Sequence, residues 1–259
     1  MPVGFHLGKR LPIMDRRVPR LSKHIGQMPP PPPSSNWYAD VPVWGMLGND
    51  EVGDCVDAAV LHMILQMTSY VSPASAPLPT TEEAIALYSA NTGYDPAIPG
   101  TDQGSYVLGP SGLMQYWLTH GVTCGGVLNK PTAFLQITHP NPVEWQQAVA
   151  LFGSVMIGMQ LPARIVDGDT VPDVWADPTG PIAGGHEILL VGYEQTPIGV
   201  IYDLVSWGEH YLATEDFLKN TMDEAVCVID PAFFSVTGQD PAGVDMATLA
   251  ADMEAMRGA

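Results

Sequence analysis

The sequence predicts an α+β fold in which a helical lobe precedes a mainly β lobe, and three observations predict it. Between about residues 50 and 130, apolar residues recur at steps of three and four, the period of helices with one buried face. From residue 131 onward, short apolar runs bounded by turn residues take over, the pattern of strands. Over 259 residues, 46% hydrophobic against 15% charged is enough to bury a substantial core.

Residues 1–34 stand apart from this pattern. Within residues 1–27, Lys9, Arg10, Arg16, Arg17, Arg20 and Lys23 face Asp15 alone, whereas the whole chain carries a net charge of −18. A basic segment gains by neutralising an acidic surface. The arm therefore lies on its own acidic body or on an acidic neighbour. A protein neighbour is favoured over nucleic acid, because the acidic body would repel phosphates. The stretch "MPPPPPSSN" (28–36) has no backbone donors in its proline run and is expected to be extended polyproline, a stiff spacer that sets a boundary near residue 34.

The body is expected to span 35–235, with the helical lobe at about 50–130 and the β lobe at about 131–235. Its first helix is marked by Cys55, Val56, Ala59, Val60, Met63, Ile64 and Met67. A second follows at 80–91, where Thr80 can cap and Glu83 can close a capping box. A third, "PSGLMQYWLTHG", stops at Gly121. Next come a helix over 141–153, the strand "SVMIGMQL", two strands "GGHEILLVGYE" and "GVIYDLVSWG" joined by "QTPIG", the short helix "ATEDFLKN", and the strand "EAVCVID". The tail, 236–259, places Met246, Leu249, Met253 and Met256 on one helical face, which docks on this body or on a neighbour.

Three cysteines, Cys55, Cys124 and Cys227, are an odd number at unrelated spacings, so neither a disulfide framework nor a metal knuckle is expected. No cofactor or metal is implied. "DGDTVPD" (167–173) lacks the terminal glutamate of a calcium loop and reads as a solvated loop. The longest apolar runs fall far short of a membrane span, and "MPVGFHLGKR" has no secretory apolar stretch, so a cytoplasmic or virion-associated protein without membrane contact is expected.

Three features carry chemistry. Cys55 opens a helix after the turn "LGNDEVGD", where amide donors and the helix dipole favour a thiolate. A lone cysteine there is otherwise a packing residue. His186, in "AGGHEILLVGY", starts a buried strand after two glycines and can exchange a proton with a thiol. The third is "LVSWGEHYL", a strand ending in a tryptophan and a glycine. His62, on the cysteine's own helix, lies about 10 Å along it and reads as a buried, satisfied histidine. In order, "SSNWYADVPVWGMLGNDEVGDCVDAA", "NPVEWQQAVALFGSVMIGMQL", "GGHEILLVGYE" and "YDLVSWGEHYLATEDFL" resemble the papain-like cysteine peptidases, in a divergent bacterial or phage-type form, along most of residues 35–230. His186 follows Cys55 by 131 residues, close to that family's spacing.

The resemblance implies a papain-like two-lobe fold and a thiol hydrolase acting on a peptide or protein, with Cys55 as nucleophile and His186 as base. It places Asn49 at the oxyanion-stabilising position beside the Cys55 N–H; Asn49 and Asp50 equally suit a simple turn. The family's histidine-orienting asparagine falls on Val205, which accepts no hydrogen bond. Asp203, two residues earlier on the same strand face, is the candidate replacement. Asp54 and Asp57 flank the thiol and oppose its ionisation. The alternative is a catalytically inactive papain-fold component of an assembly, a phage particle for example, tethered to protein neighbours through 1–34 and 236–259.

Overall fold

A computed structural model describes residues 5–24, 29–168, 170–230, 233 and 246–257. Its helices are α1 (Leu21–His24), α2 (Cys55–Val71), α3 (Thr81–Thr92), α4 (Leu113–His120), α5 (Pro142–Phe152), α6 (Glu215–Thr221) and α7 (Met246–Arg257). Its strands are β1 (Ser34–Asn36), β2 (Val122–Cys124), β3 (Val127–Asn129), β4 (Ala133–Gln136), β5 (Val155–Pro162), β6 (Val174–Trp175), β7 (Ile182–Thr196), β8 (Gly199–Ser206), β9 (Glu209–Thr214) and β10 (Met222–Ile229).

Helix α2 is the axis of the molecule. Every residue from Cys55 to Met67 is buried, not one face as the periodicity predicts. The helix lies between the other helices and the sheet, so both sides of it are covered. Inside, Asp57 accepts a 2.6 Å hydrogen bond from the Ser105 hydroxyl, and the Gln66 amide donates to the Trp37 carbonyl at 3.1 Å. His62 is satisfied as expected, its Nε2 lying 3.1 and 3.0 Å from the Trp44 and Gly45 carbonyls. Helix α3 carries the expected capping box between Thr80 and Glu83.

The β lobe is an eight-stranded sheet in the order β4-β10-β5-β7-β8-β9-β6, with β1 added to β7. All pairings are antiparallel except β6 with β9. Strands β5, β7 and β8 are nearly continuous apolar runs because α2 covers one face of this region and α5 and α6 pack against it as well. The proline run is not a free spacer. Tyr193 donates to the Pro32 carbonyl at 2.9 Å and Gln195 N–H to the Pro33 carbonyl at 2.8 Å, seating it on the lobe.

The glycine turn "HGVTCGG" is the tip of a hairpin, β2–β3, with Gly125 and Gly126 both at positive φ. "YDLVSWGEHYL", read as a strand, reverses at Trp207-Gly208, so that β8 returns as β9. Cys124 and Cys227 are buried in the core. In α7, Met253 and Met256 are buried and the Gln115 amide donates to the Met256 carbonyl at 2.6 Å, so this helix docks on the chain's own body. The side chains of Met246 and Leu249, and residues 236–245, lie outside the described residues. Among the described residues no helix is long and apolar enough to cross a membrane.

Candidate active site

The cleft between the lobes is built from the turn at 49–55 and the loop at 102–106 on one side, and from β5, β7, the β8–β9 turn and β10 on the other. Asp102 ties the first wall together. It accepts from the Gly53 N–H at 3.2 Å and from the Tyr88 hydroxyl at 2.5 Å, and the same hydroxyl accepts from the Gly104 N–H at 2.8 Å. Cys55 follows as the first residue of α2, 2% exposed. The backbone N–H groups of Glu187 and Gly8 both face its sulfur.

His186 lies beside that N–H, one residue earlier on β7, and is fully buried. Its Nε2 shares a 2.6 Å hydrogen bond with the Ser206 hydroxyl, while its Nδ1 has no hydrogen-bond partner. Trp207 covers the ring, stacked at 4.3 Å between centroids and 15° between planes. Trp207 has φ 49 and Gly208 φ 73, the two left-handed residues of a tight hairpin turn. A bulky residue there is strained by about 1–3 kcal/mol. In this turn the tryptophan's indole lies on the imidazole.

Asp203 does not stand behind His186, and the reason is alternation along β8. Asp203 and Val205 share one face of the strand, and the imidazole is served from the other, where Ser206 points. The Asp203 carboxylate instead lies 3.0 Å from His210 Nε2. Ser206 escaped the sequence reading because residue-by-residue matching puts the orienting position on Val205. A hydroxyl beside the Trp-Gly turn was the available signal. Asn49 is buried, and its side-chain amide reaches into the cleft, where it donates to the His6 carbonyl at 3.1 Å.

That carbonyl belongs to the N-terminal arm, which fills the cleft. His6 N–H donates to Asn49 O at 2.9 Å, Ser105 N–H to Gly8 O at 2.8 Å, Arg10 N–H to Ser105 O at 2.9 Å and Lys9 N–H to Gly185 O at 3.1 Å. Phe5 packs on Trp207, with ring centroids 4.9 Å apart, and Arg10 lies over the Tyr106 ring at 4.3 Å. The approach is closed to side chains: a Cβ at Gly104 or Gly185 would collide with the backbone of Gly8 or Lys9. The arm's Gly8 carbonyl is engaged by the Ser105 N–H. Of the two placements the charge asymmetry allows, the described residues of the arm take the first, on the chain's own body. Leu21 is fully buried, and His24 Nε2 lies 3.3 Å from Asp252.

Under this cover the thiol and the imidazole are both neutral. Burial pushes Cys55 up to about 12, and the charges of Glu187 and Asp54 add to it. Burial alone pushes His186 down to about 3. The flanking aspartates are also affected: burial, then the charge of Asp57, raises Asp54 to about 8, and burial raises Asp57 to about 7. Below those values they are uncharged and do not oppose a thiolate.

The aspartates set a pH dependence of stability. Their folded-state values lie above those of the unfolded chain, so the folded state binds more protons and stability falls as pH rises through them. His62 and His186, depressed to about 4 and about 3, act in the opposite sense mainly below their ordinary value of 6.5, and only weakly above it. From pH 6.5 to 8 the aspartates alone remove on the order of 2–3 kcal/mol. The melting temperature is expected to drop by several degrees over that window, and less in an Asp54→Asn variant. A melting temperature that rises from pH 6.5 to 8 would contradict protonated aspartates.

No protein-family model and no curated protein matches the chain. Solved structures do. Xylellain, a cysteine protease from Xylella fastidiosa, superposes with TM-score 0.67 at 13% identity, over 88% of this chain and 97% of that one. Procathepsin L 3 of Tenebrio molitor larval midgut gives TM-score 0.60 at 12% identity, over 88% and 77%. Bromelain from Ananas comosus gives 0.53 at 11%, over 76% and 99%. The fold is papain-like. In this papain-like fold Cys55 opens the helix between the two lobes, and His186 lies on the sheet that faces it.

Proposed function

We propose that the chain is a peptide-hydrolysing thiol enzyme held latent by its own N-terminal segment. The single observation that carries the reading is the 2.6 Å bond from His186 Nε2 to Ser206 Oγ under the stacked Trp207. It orients an imidazole from behind and leaves Nδ1 without a partner to take a proton. Once the arm leaves, Cys55 gives its proton to Nδ1 and its sulfur attacks the substrate carbonyl carbon. The oxyanion accepts hydrogen bonds from the Asn49 amide and the Cys55 N–H. The imidazolium then protonates the leaving amine, and His186 takes a proton from the water that hydrolyses the thioester.

Ser206 acts as a positioning residue. Ser206→Ala is expected to lower kcat/KM about 10-fold and to shift the acidic limb of the pH profile, with Ser206→Asn restoring both. An unchanged pH profile in Ser206→Ala would remove it from this role.

The assembly reading, an inactive papain-fold component of a particle held through 1–34 and 236–259, draws on the 2% exposure of Cys55 and on the exposed Arg16, Arg20 and Lys23. The test is hydrolysis of aminocoumarin-tagged peptides by the full chain carrying Lys9→Glu, which expels the arm. Cleavage that disappears on adding Cys55→Ala supports the enzyme. Absence of cleavage in both chains supports the assembly component.

A further inference from the structure

The chain carries 10 lysines and arginines against 28 aspartates and glutamates, so every cation has carboxylates to choose from. Most of those described are taken. Lys9 lies between Asp223 and Glu224, Arg17 forks onto Asp15, Arg164 pairs with Asp177 and Lys219 with Glu215. Arg10 lies over the Tyr106 ring, and Lys130 donates to the Thr119 carbonyl at 3.0 Å. Among the described side chains, only the cations of Arg16, Arg20 and Lys23 have no carboxylate, carbonyl or ring partner.

These three line one pocket, a depression of about 400 Å³ whose other walls include Met14, Val18 and Gln136. Asp15 also lines it but is already neutralised, because the Arg17 guanidinium reaches its two oxygens at 3.0 and 2.7 Å. The backbone that carries the cations is pinned. Val18 N–H closes a turn on the Asp15 carbonyl at 3.2 Å, Gln136 N–H at the end of β4 donates to the Pro19 carbonyl at 2.8 Å, and Lys23 N–H donates to the Arg20 carbonyl at 2.9 Å. Leu21, fully buried, anchors this segment in the body. The cations are therefore held near one another before anything binds, which lowers the ordering cost of binding.

Like charges held close together repel one another and are stabilised by a shared anion. Guanidinium forks accept carboxylates and phosphates alike. Two observations choose between them. The chain as a whole carries −18, so a long phosphate backbone reaching beyond the pocket is repelled. The pocket is also partly apolar: Met14 in its wall is 82% exposed, and Leu11, three residues earlier, is 69% exposed. Exposed apolar side chains among arginines are the composition of a protein-binding surface, and they suit a peptide whose carboxylates flank an apolar residue.

We infer that the pocket of Arg16, Arg20, Lys23 and Met14 docks an acidic segment of a partner protein, with an apolar side chain of that segment lying on Met14. The pocket shares no residue with the thiol cleft, and its assignment does not depend on whether Cys55 turns over.

The test measures, by fluorescence anisotropy, binding of fluorescein-Asp-Glu-Leu-Glu-Phe-Asp-Glu-amide to the full chain. The comparisons are the equally charged fluorescein-Asp-Glu-Ser-Glu-Ser-Asp-Glu-amide, a labelled single-stranded DNA of about 20 nucleotides, and inorganic triphosphate as a competitor. One leucine–phenylalanine peptide per chain is expected to bind. Its affinity is expected to fall about 10-fold or more in Arg16→Glu/Arg20→Glu, and the serine peptide or a Met14→Ser chain is expected to bind about 5-fold more weakly. Both variants should keep the native melting temperature and Cys55 alkylation rate; Arg16→Gln/Arg20→Gln replaces the charge reversal should that chain lose its cooperative melt. Undiminished binding by the charge-altered chain, or equal affinity for the serine peptide, overturns the assignment. Tighter binding of the DNA would make the pocket a nucleic-acid contact, and triphosphate competing better than unlabelled peptide would make it a small-anion site; either result overturns it as well.

Discussion

Replacing Lys9 by glutamate is expected to raise the rate of Cys55 alkylation by iodoacetamide about 100-fold or more, read by intact mass and peptide mapping. In the native chain the sulfur is 2% exposed beneath Gly8, and its proton is held well above the ordinary thiol range. Thiolate is the reacting species, so both burial and titration slow the reaction. Lys9 is the arm's strongest anchor, buried between Asp223 and Glu224. Breaking a buried ion pair by removing one partner costs about 3–5 kcal/mol, and a glutamate would sit against Asp223 and Glu224 in place of an ammonium. Even the lower figure moves the balance between covered and uncovered cleft by more than about 100-fold. Cys124 and Cys227 are buried in the core and are the internal control: their rates should not change. An equal acceleration at all three cysteines would mean unfolding, and no acceleration would mean that the arm is not what shields the thiol.

The second large effect concerns the imidazole. In the Lys9→Glu chain, His186→Ala is expected to lower kcat/KM for tagged peptides by about 10³-fold, at the upper end of what a positioned acid and base contributes. In the proposed mechanism the ring both receives the thiol proton and returns one to the leaving amine, so its loss would act on the two halves of acylation together. KM should move little, because the role proposed for the imidazole is proton transfer and not binding. A drop confined to KM would assign His186 to binding. A drop of about 10-fold or less would show that Cys55 reacts without it.

Much of this was legible in the chain. Cys55 at a helix start, His186 after two glycines and the Trp-Gly turn stand in an order and spacing that point to one fold, and the fold is the one observed. The helix and strand periods between residues 55 and 229 translate almost element for element. What escaped was tertiary. Whether Val205, Asp203 or Ser206 reaches the imidazole depends on which strand face the ring meets, and residue matching along a strand carries no face. Helix α2 reads as amphipathic although both of its sides are covered, because burial by a second lobe leaves no periodic trace beyond Asp57, His62 and Gln66, each with a hydrogen-bond partner inside.

The arm escaped for a different reason. Its charge asymmetry announces an acidic partner, but Asp223, Glu224 and Glu187 lie some 180 to 215 residues away in the chain and come together only in the fold. The glycines that admit it, Gly104, Gly158 and Gly185, are equally dispersed and look like ordinary turn and strand glycines until Gly8 and Lys9 are laid against them.

The most direct measurement is the pH dependence of Cys55 alkylation in the Lys9→Glu chain, with and without His186→Ala. If His186, oriented by Ser206, holds the Cys55 proton once the cleft is open, the rate reaches its plateau by about pH 6, and His186→Ala moves the inflection up to the ordinary thiol range near 8.5. Superimposable profiles in the two chains, both rising only near that range, would show that Cys55 and His186 do not form a pair.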